Sequence, residues 1–370
     1  DQNNMFDETM RFRILTGHVN GSISRRIQSG MFVLPSGCTI TMTAVARQVI
    51  MRNINNRIRT LRGQQLVNQV LQWIRDHGSA MSLFDLLQAL ADDDAIRLIA
   101  QTRSIPSELS KIALNAGNVM SLKEQEKIAK LLLRLNQTDD YKLLSKWCDA
   151  LMDPAHDLSG MTDGDIFKFS TCMDFQKIKA ENYRSVWDGI CENPDVCKDV
   201  ADFLKWKLSR AIPQAESFCE ESNGLVLHAK YSRTQITQEL GHSMGYLPQS
   251  GVVPVPGKNV TAFFVTRVKS ESEFTPETMY KDFAITPEKF KWDSQNRTKV
   301  LSDEAQSYIN GTCTPLLFIQ EHKTGDLDIP EGFTYLGPLE YLSHEGEAPV
   351  SFEWKLKYPM PARVFQWAQL

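Results

Sequence analysis

The sequence lacks the patterns that mark a molecular motor or a membrane protein. Its 370 residues contain no GxxxxGK[ST] phosphate-binding loop, so nothing in them predicts nucleotide hydrolysis. No apolar run approaches the roughly 20 residues that a membrane-spanning helix needs, and no secretory signal is visible. We therefore expect a cytoplasmic protein with no membrane partner.

Paired cysteines are also missing. The seven cysteines are scattered and form no CxxC pair, which argues against a disulfide scaffold or a zinc knuckle. Cys191 and Cys197 flank a proline, but no histidine lies near them in the sequence. Reduced, buried thiols are expected, with no metal and no cofactor in this chain.

An excess of basic charge is absent from the chain as a whole. The formal net charge is -4, which excludes a polybasic nucleic-acid binder and leaves any DNA argument to local charge. One helix predicted after residue 39 is locally basic and has no acidic residue before residue 72. Its arginines could neutralise phosphates, or could form a solvated face or contact an acidic domain. They include Arg47, Arg52, Arg57 and Arg59.

The sequence that is present divides into three parts. Residues 1–37 are rich in glycine turns and are interpreted as a linker. Residues 38–215 show helical periodicity, with a capping box at Ser121 and Glu124 and an Asn193-Pro194 helix start. Residues 222–370 are strand-like, and residues 350–358 alternate between apolar and charged side chains. The predicted class is α+β, an all-α domain followed by a mostly β domain shaped as a small barrel or curved sheet.

Familiar catalytic patterns are incomplete. His228-Ala229-Lys230 begins a phospholipase-D-type motif, but Gln235 stands where that motif needs an aspartate. The Asp303-Glu304 pair resembles a magnesium box, yet it follows Ser302 and is better interpreted as a helix start. His322 and His344 lie beside carboxylates, as solvated loop histidines often do. We therefore predict no catalytic residue.

Residues 279–296 (MYKDFAITPEKFKWDSQN) combine aromatic, basic and amide side chains. Such a mixture could stack on an extruded base and read its edge. The alternative is that the aromatic rings seal the end of the β domain. The candidate stacking residues are Tyr280, Phe290, Trp292 and Tyr335, and the candidate edge readers are Asp293, Ser294, Gln295 and Asn296.

These same residues carry a family resemblance. Residues 279–296, 333–338 (FTYLGP) and 341–346 (YLSHEG) resemble an uncharacterised C-terminal domain of bacterial superfamily 2 DEAD/DEAH helicases. The family pattern runs roughly MYxDYAIS, FHWQSQ, FxFLGxxxYVSHEG and WxL. This chain departs from it at Phe283, Lys291 and Asp293. Residues 32–38, with the Arg-rich helix, resemble the segment that follows the helicase core, so residues 1–37 are expected to link to that core.

The resemblance implies a function for the chain. Proteins of that family often add a phospholipase-D-type nuclease domain, and some are type IV restriction enzymes that cut DNA containing modified cytosine. The chain is then expected to recognise double-stranded, methylated DNA beside helicase and nuclease domains of the same polypeptide. ATP and a divalent metal would belong only to those missing domains. The resemblance also suggests a PUA/SRA-like, base-flipping β domain.

Two other functions stay open. The chain could be a docking or regulatory module of an ATPase, with no DNA affinity of its own. It could also be a cryptic enzyme that uses His228, His322 or His344. The start at Asp1, without a methionine, is compatible with an excised fragment.

Overall fold

A computed structural model describes most of the chain from residue 64 onward. The described residues are 64–77, 82–89, 92–102, 105–174, 181–211, 222, 224–243, 246–268, 282–324 and 330–369. The predicted linker, Tyr280 and the arginines at 47, 52, 57 and 59 lie outside them. Among the helices of the described residues, none is long and apolar enough to cross a membrane.

The first part of the described chain is helical, as predicted. Within residues 64–208 the described residues form nine helices, against about eight expected for residues 39–210. They are α1 Gln64–His77, α2 Leu83–Ala89, α3 Asp92–Thr102, α4 Pro106–Leu114, α5 Leu122–Leu135, α6 Tyr141–Met152, α7 Asp163–Asp174, α8 Tyr183–Cys191 and α9 Pro194–Leu208.

Local sequence signals fix several helix starts. Ser121 and Glu124 form the predicted capping box at the start of α5, which satisfies backbone N–H groups that a helix start leaves open. The Asn193 side chain accepts a hydrogen bond from Val196 N, and Pro194 opens α9. Both predictions are confirmed.

The second part is an open, mixed sheet of eight strands with short helices. Its strand order is β2-β3-β6-β7-β8-β5-β4, and β1 pairs with β7. The α+β prediction is confirmed, and the curved sheet, not a closed barrel, is the shape found. The elements are β1 Lys230–Tyr231, α10 Arg233–Glu239, β2 Val252–Pro254, β3 Val260–Val268, β4 Phe283–Thr286, β5 Lys289–Asp293, α11 Asp303–Ile309, β6 Thr314–His322, β7 Phe333–Glu345, β8 Ser351–Leu356 and α12 Ala362–Ala368.

The central pair β3 and β6 is parallel and buried on both faces. Parallel strands covered on both sides are continuously apolar, which accounts for the runs VTAFFV and PLLFI in these strands. Successive side chains point to opposite faces. Phe264 and Phe318 therefore face one core, while Phe263 and Leu317 face another.

The first of these cores is shared with the helical region, and we call it the shared core. It joins Trp147, Phe169 and Trp187 from the helices to Phe264 and Phe318 from the sheet. The second, the closed core, consists of side chains from the sheet domain alone, including Phe290, Trp292, Phe352 and Trp354 with Tyr308 of α11.

The sheet curls around the closed core. Phe263 of β3 and Trp292 of β5 are separated by three strands in the sheet order, yet their ring centroids lie 4.1 Å apart. A flat sheet would hold them several strand spacings of about 4.8 Å apart. The curvature places β4, β5 and β8 opposite β3, with their outer face turned away from the closed core.

Candidate nucleic-acid interface

Strand β5 divides the predicted site between two faces. Phe290 and Trp292 point into the closed core, whereas Lys289, Lys291 and Asp293 lie on the outer face, as their alternating burial shows. β5 pairs in register with β8, and Trp292 lies opposite Phe352. The aromatic and charged residues of this segment therefore serve different surfaces.

Three of the four predicted stacking residues, Phe290, Trp292 and Tyr335, are described by the structure and are buried. Trp292 is only 5% exposed and stacks on Phe263 at 4.1 Å with an interplanar angle of 17°. Phe290 and Tyr335 are fully buried, and Tyr335 stacks on Phe318 at 4.9 Å. In this conformation the three rings have no face available to a nucleotide base. Their burial favours the alternative that these rings fill the two cores, and their stacking on a base stays a prediction.

Ser294 is also occupied within the protein. Its side chain is fully buried, its Oγ accepts a hydrogen bond from Val350 N at 2.9 Å, and its hydroxyl donates to Gln295 O at 3.3 Å. Ser294 N in turn donates to Val350 O at 2.9 Å. These bonds extend the β5–β8 pairing past Asp293, so Ser294 holds the following loop and is not placed to read a base.

The loop after β5 does present polar side chains to solvent. Asp293 and Gln295 are half-buried, and Asn296, Arg297 and Lys299 are exposed. Arg297 and Lys299 were not singled out from the sequence, although their charge beside the predicted amides could have drawn attention to them. These five residues, Asp293, Gln295, Asn296, Arg297 and Lys299, form what we call the reading loop.

The reading loop is held at both ends by side-chain hydrogen bonds. The Gln295 amide donates to Ser250 Oγ at 3.0 Å, and the Thr298 hydroxyl donates to Glu304 Oε2 at 3.2 Å. Glu304 belongs to α11, whose N-cap Ser302 accepts from Ala305 N. The interpretation of Asp303-Glu304 as a helix start is thereby confirmed. Binding residues on a loop gain precision when a rigid scaffold positions them.

Charges on the outer face are mixed in sign. Lys291 lies 3.8 Å from Glu345, and Lys355 lies 3.1 Å from Glu340. Exposed ion pairs of this kind contribute at most about 1 kcal/mol, so a phosphate could displace the carboxylate at little cost. Within the described residues, the reading loop and Lys289 extend this surface with further cationic groups.

A charged cluster at the junction with the helical region was not foreseen from the sequence. Arg363 of α12 donates to His228 O at 2.7 Å and lies 3.5 Å from Asp139. Asp139 also accepts from Lys230 N at 2.5 Å. Asp139 and Arg363 are 224 residues apart in the sequence, so only the fold could bring them together.

The electrostatics of that cluster give no support to acid–base catalysis at His228. Burial, with a smaller contribution from Arg363, lowers the pKa of His228 to about 4, so the ring is neutral near pH 7. Burial also lowers the pKa of Lys230, against the opposing effect of Asp139. A cavity of about 10 Å³ lined by Lys230, Glu331 and Trp367 has room for about one water molecule, not for a base.

The other two histidines considered for catalysis lie elsewhere. His322 Nε2 is 3.7 Å from Glu321 at the end of β6, and His344 Nδ1 is 2.6 Å from the Tyr341 hydroxyl on β7. Within the described residues, His228 lies in the turn before β1, His322 on β6 and His344 on β7, so the three histidines do not form one site.

Comparison with known families concerns the sheet domain. Residues 225–368 match the family described as "Domain of unknown function (DUF3427)". The chain therefore carries a DUF3427 domain over these residues, which span β1 to α12 and include the reading loop. No curated protein matches the chain.

Proposed function

We propose that this chain is the DNA-recognition region of a helicase-type restriction protein and that it binds duplex DNA through the reading loop and the outer face of β5. The observation that carries the proposal is the division of β5 into an aromatic inner face and a polar outer face that continues into an anchored loop. The amide, carboxylate and guanidinium groups of this loop are those that recognise base edges and phosphates.

Each group has a role suited to its chemistry. Arg297 and Lys299 are exposed and would contact phosphates, which gives affinity without sequence preference. Asn296 can pair with an adenine edge, and Asp293 can accept from a cytosine amino group. Asn296 already has a partner within the protein, so reading a base would require it to exchange that partner.

The departures from the family pattern fall on this same surface. Lys291 and Asp293 replace the family's usual histidine and glutamine, and both side chains lie on the outer face of β5. Trp292 and Ser294, which agree with the pattern, are buried. This arrangement supports an outer face that varies with the target and an inner face that maintains the fold.

Modified cytosine is the target that the family resemblance favours, and base flipping into the aromatic core is no longer the favoured way of reading it. Two of the rings that would receive the base, Trp292 and Tyr335, are each stacked on another core ring. We therefore propose recognition from the groove by the reading loop, in which a cytosine substituent is sensed beside Asp293.

The direct test is a titration of the purified chain against labelled duplexes at two salt concentrations. Three matched duplexes would carry cytosine, 5-methylcytosine or 5-hydroxymethylcytosine at the same position. We expect salt-sensitive binding, tighter to a modified duplex, and an Asp293→Asn variant that loses the preference while retaining the fold. Equal affinity for all three duplexes would rule out recognition of a modified base. No binding at low salt would overturn the proposal that the chain binds DNA.

A docking function is the second candidate, and it rests on exposed apolar groups of the sheet domain. Ile285 and Leu342 are both 39% exposed, and each lies at a register shift of its strand. Extra residues at such bulges re-aim side chains, here toward solvent. A salt-insensitive partner that binds the chain and is lost in Ile285→Ser and Leu342→Ser would favour this candidate.

A further inference from the structure

One histidine and two cysteines from a distant part of the sequence converge where α6 and α8 end and α9 begins. His156 lies in the loop after α6, Cys191 is the last residue of α8, and Cys197 lies in the first turns of α9. Their imidazole nitrogen and two sulfur atoms all lie within 4.8 Å of one another. This grouping was not predicted, because His156 is 35 residues from Cys191.

We propose that His156, Cys191 and Cys197 bind a zinc ion. Zinc takes thiolate and imidazole ligands at about 2.3 Å and 2.0–2.1 Å, usually with tetrahedral geometry. Ligand atoms around such an ion are about 3.5–3.8 Å apart, so the group needs to contract by about 1 Å at most. Water would complete the coordination.

The His156 ring is held as a metal-binding histidine is held. Its Nδ1 lies 3.2 Å from Ala150 O, and a carbonyl oxygen only accepts, so Nδ1 carries the proton and Nε2 carries the lone pair. Metal-binding histidines generally donate their second ring nitrogen to a carbonyl or carboxylate, which fixes the tautomer.

The backbone of His156 is an independent indication. Its φ is 49°, in the left-handed region, which non-glycine residues adopt infrequently and at a cost of order 1–3 kcal/mol. Such conformations cluster at ligand sites. His156 adopts this conformation in the loop where its ring meets Ala150 O and the two cysteines.

Charge and access also suit a divalent ion. Binding would release two thiol protons to solvent, and two thiolates with a neutral imidazole balance the charge of Zn²⁺. Cys197 is buried, whereas His156 and Cys191 are half-buried, so an ion could enter from solvent. The bound ion would tie the loop after α6 to the turn between α8 and α9.

The competing chemistry is a disulfide, because the Cys191 and Cys197 thiols are hydrogen-bonded to each other. A disulfide would leave His156 without a function, and it would require an oxidant. The third ligand and its fixed tautomer favour the metal.

The test uses the full chain, purified with reductant, stripped by chelator and then titrated with zinc. We expect one equivalent of zinc by mass spectrometry, and thiolate-to-metal charge-transfer absorption when cobalt(II) replaces it. Cys191→Ser, Cys197→Ser and His156→Asn should each weaken zinc binding at least about tenfold, since even loss of an outer-shell partner costs about 10–100-fold. Asparagine tolerates the left-handed conformation, so His156→Asn tests the ligand and not the backbone.

Cys313→Ser, a half-buried cysteine of the sheet domain, is the matched control and should bind zinc normally. Zinc should also raise the melting temperature of the parent chain and of the control but not of the three variants. Failure to bind zinc, or equal binding by folded His156→Asn and the parent, would overturn the proposal. So would a Cys191–Cys197 disulfide in place of metal under the same reducing conditions.

Discussion

The two cores on either side of β3 and β6 are built differently. The closed core takes its side chains from the sheet domain alone, whereas the shared core draws on the helices and the sheet together. Both are aromatic and well packed, so composition does not distinguish them. What differs is the separation in sequence of the residues that meet.

The domain that the family match defines is therefore smaller than the unit that packs around the shared core. The DUF3427 match begins at residue 225, but Tyr231 in its first strand donates a hydrogen bond to Asp140 of the helical region at 2.5 Å. Thr138 also donates to Lys230 O at 2.8 Å. The matched domain and the helices before it therefore form one packed unit.

Cutting the chain at this junction should have the largest effect. A fragment of residues 222–370 keeps the closed core but exposes the shared-core side of its sheet, including Phe264, Phe318 and Phe333. We expect it to aggregate or to melt without cooperativity, whereas the full chain melts cooperatively. Calorimetry on both would decide the matter, and a fragment as stable as the full chain would show that the two parts fold separately.

Within the closed core, Trp292→Ala should cost about 3–5 kcal/mol of unfolding free energy. The reason is that the indole is buried and stacks on Phe263. Lys291→Ala, one residue away on the outer face, should stay within about 0.5 kcal/mol of the parent. Urea unfolding measures both. If Trp292→Ala left the stability unchanged, Trp292 would again be a candidate for stacking on a base.

At the junction, Tyr231→Phe should cost about 1–3 kcal/mol. Its hydroxyl donates to Asp140 and accepts from Val226 N at 2.9 Å, and both partners would lose a buried hydrogen bond. Asp140 also caps α6 through Leu143 N, so the loss affects both parts of the chain. Tyr246→Phe, at a 47% exposed tyrosine, is the control, and equal effects of the two changes would argue against a stabilising junction.

A further effect lies inside the helical region and depends on pH. Burial raises the pKa of Asp199 to about 7, against the opposing hydrogen bond from Ser107. Because the folded state holds this proton and the unfolded state releases it near pH 4, stability is lost as pH rises from about 4 through 7. The melting temperature of the Asp199→Asn variant should change less with pH than that of the parent, by a few degrees. An unchanged pH profile in the variant would contradict the assignment.

Local signals in the sequence predicted local structure well. Ser121 with Glu124, Asn193 with Pro194, and Ser302 with Asp303 all begin helices where expected. The alternation in residues 350–358 correctly placed Phe352 and Trp354 on a buried face. In each case neighbouring residues carry the physical cause, so one stretch of sequence is enough.

Non-local features escaped prediction. The aromatic rings of residues 279–296 matched a stacking site in composition, and only the curl of the sheet shows that Phe263 covers Trp292. The grouping of His156 with Cys191 and Cys197 depends in the same way on the packing of three helices. Composition identifies side chains with suitable chemistry, but the fold decides whether they face solvent, a core or one another.

We propose that the reading loop contacts DNA phosphates while the aromatic face beneath it does not. The most direct measurement is the salt dependence of duplex binding by an Arg297→Ala/Lys299→Ala variant, with Lys127→Ala at an exposed position of α5 as the charge control. Each lost phosphate contact should reduce the slope of log affinity against log salt by about 1. We therefore predict a slope reduced by about 2 in the double variant and little changed in the control. Equal slopes for the parent and the double variant would contradict the claim.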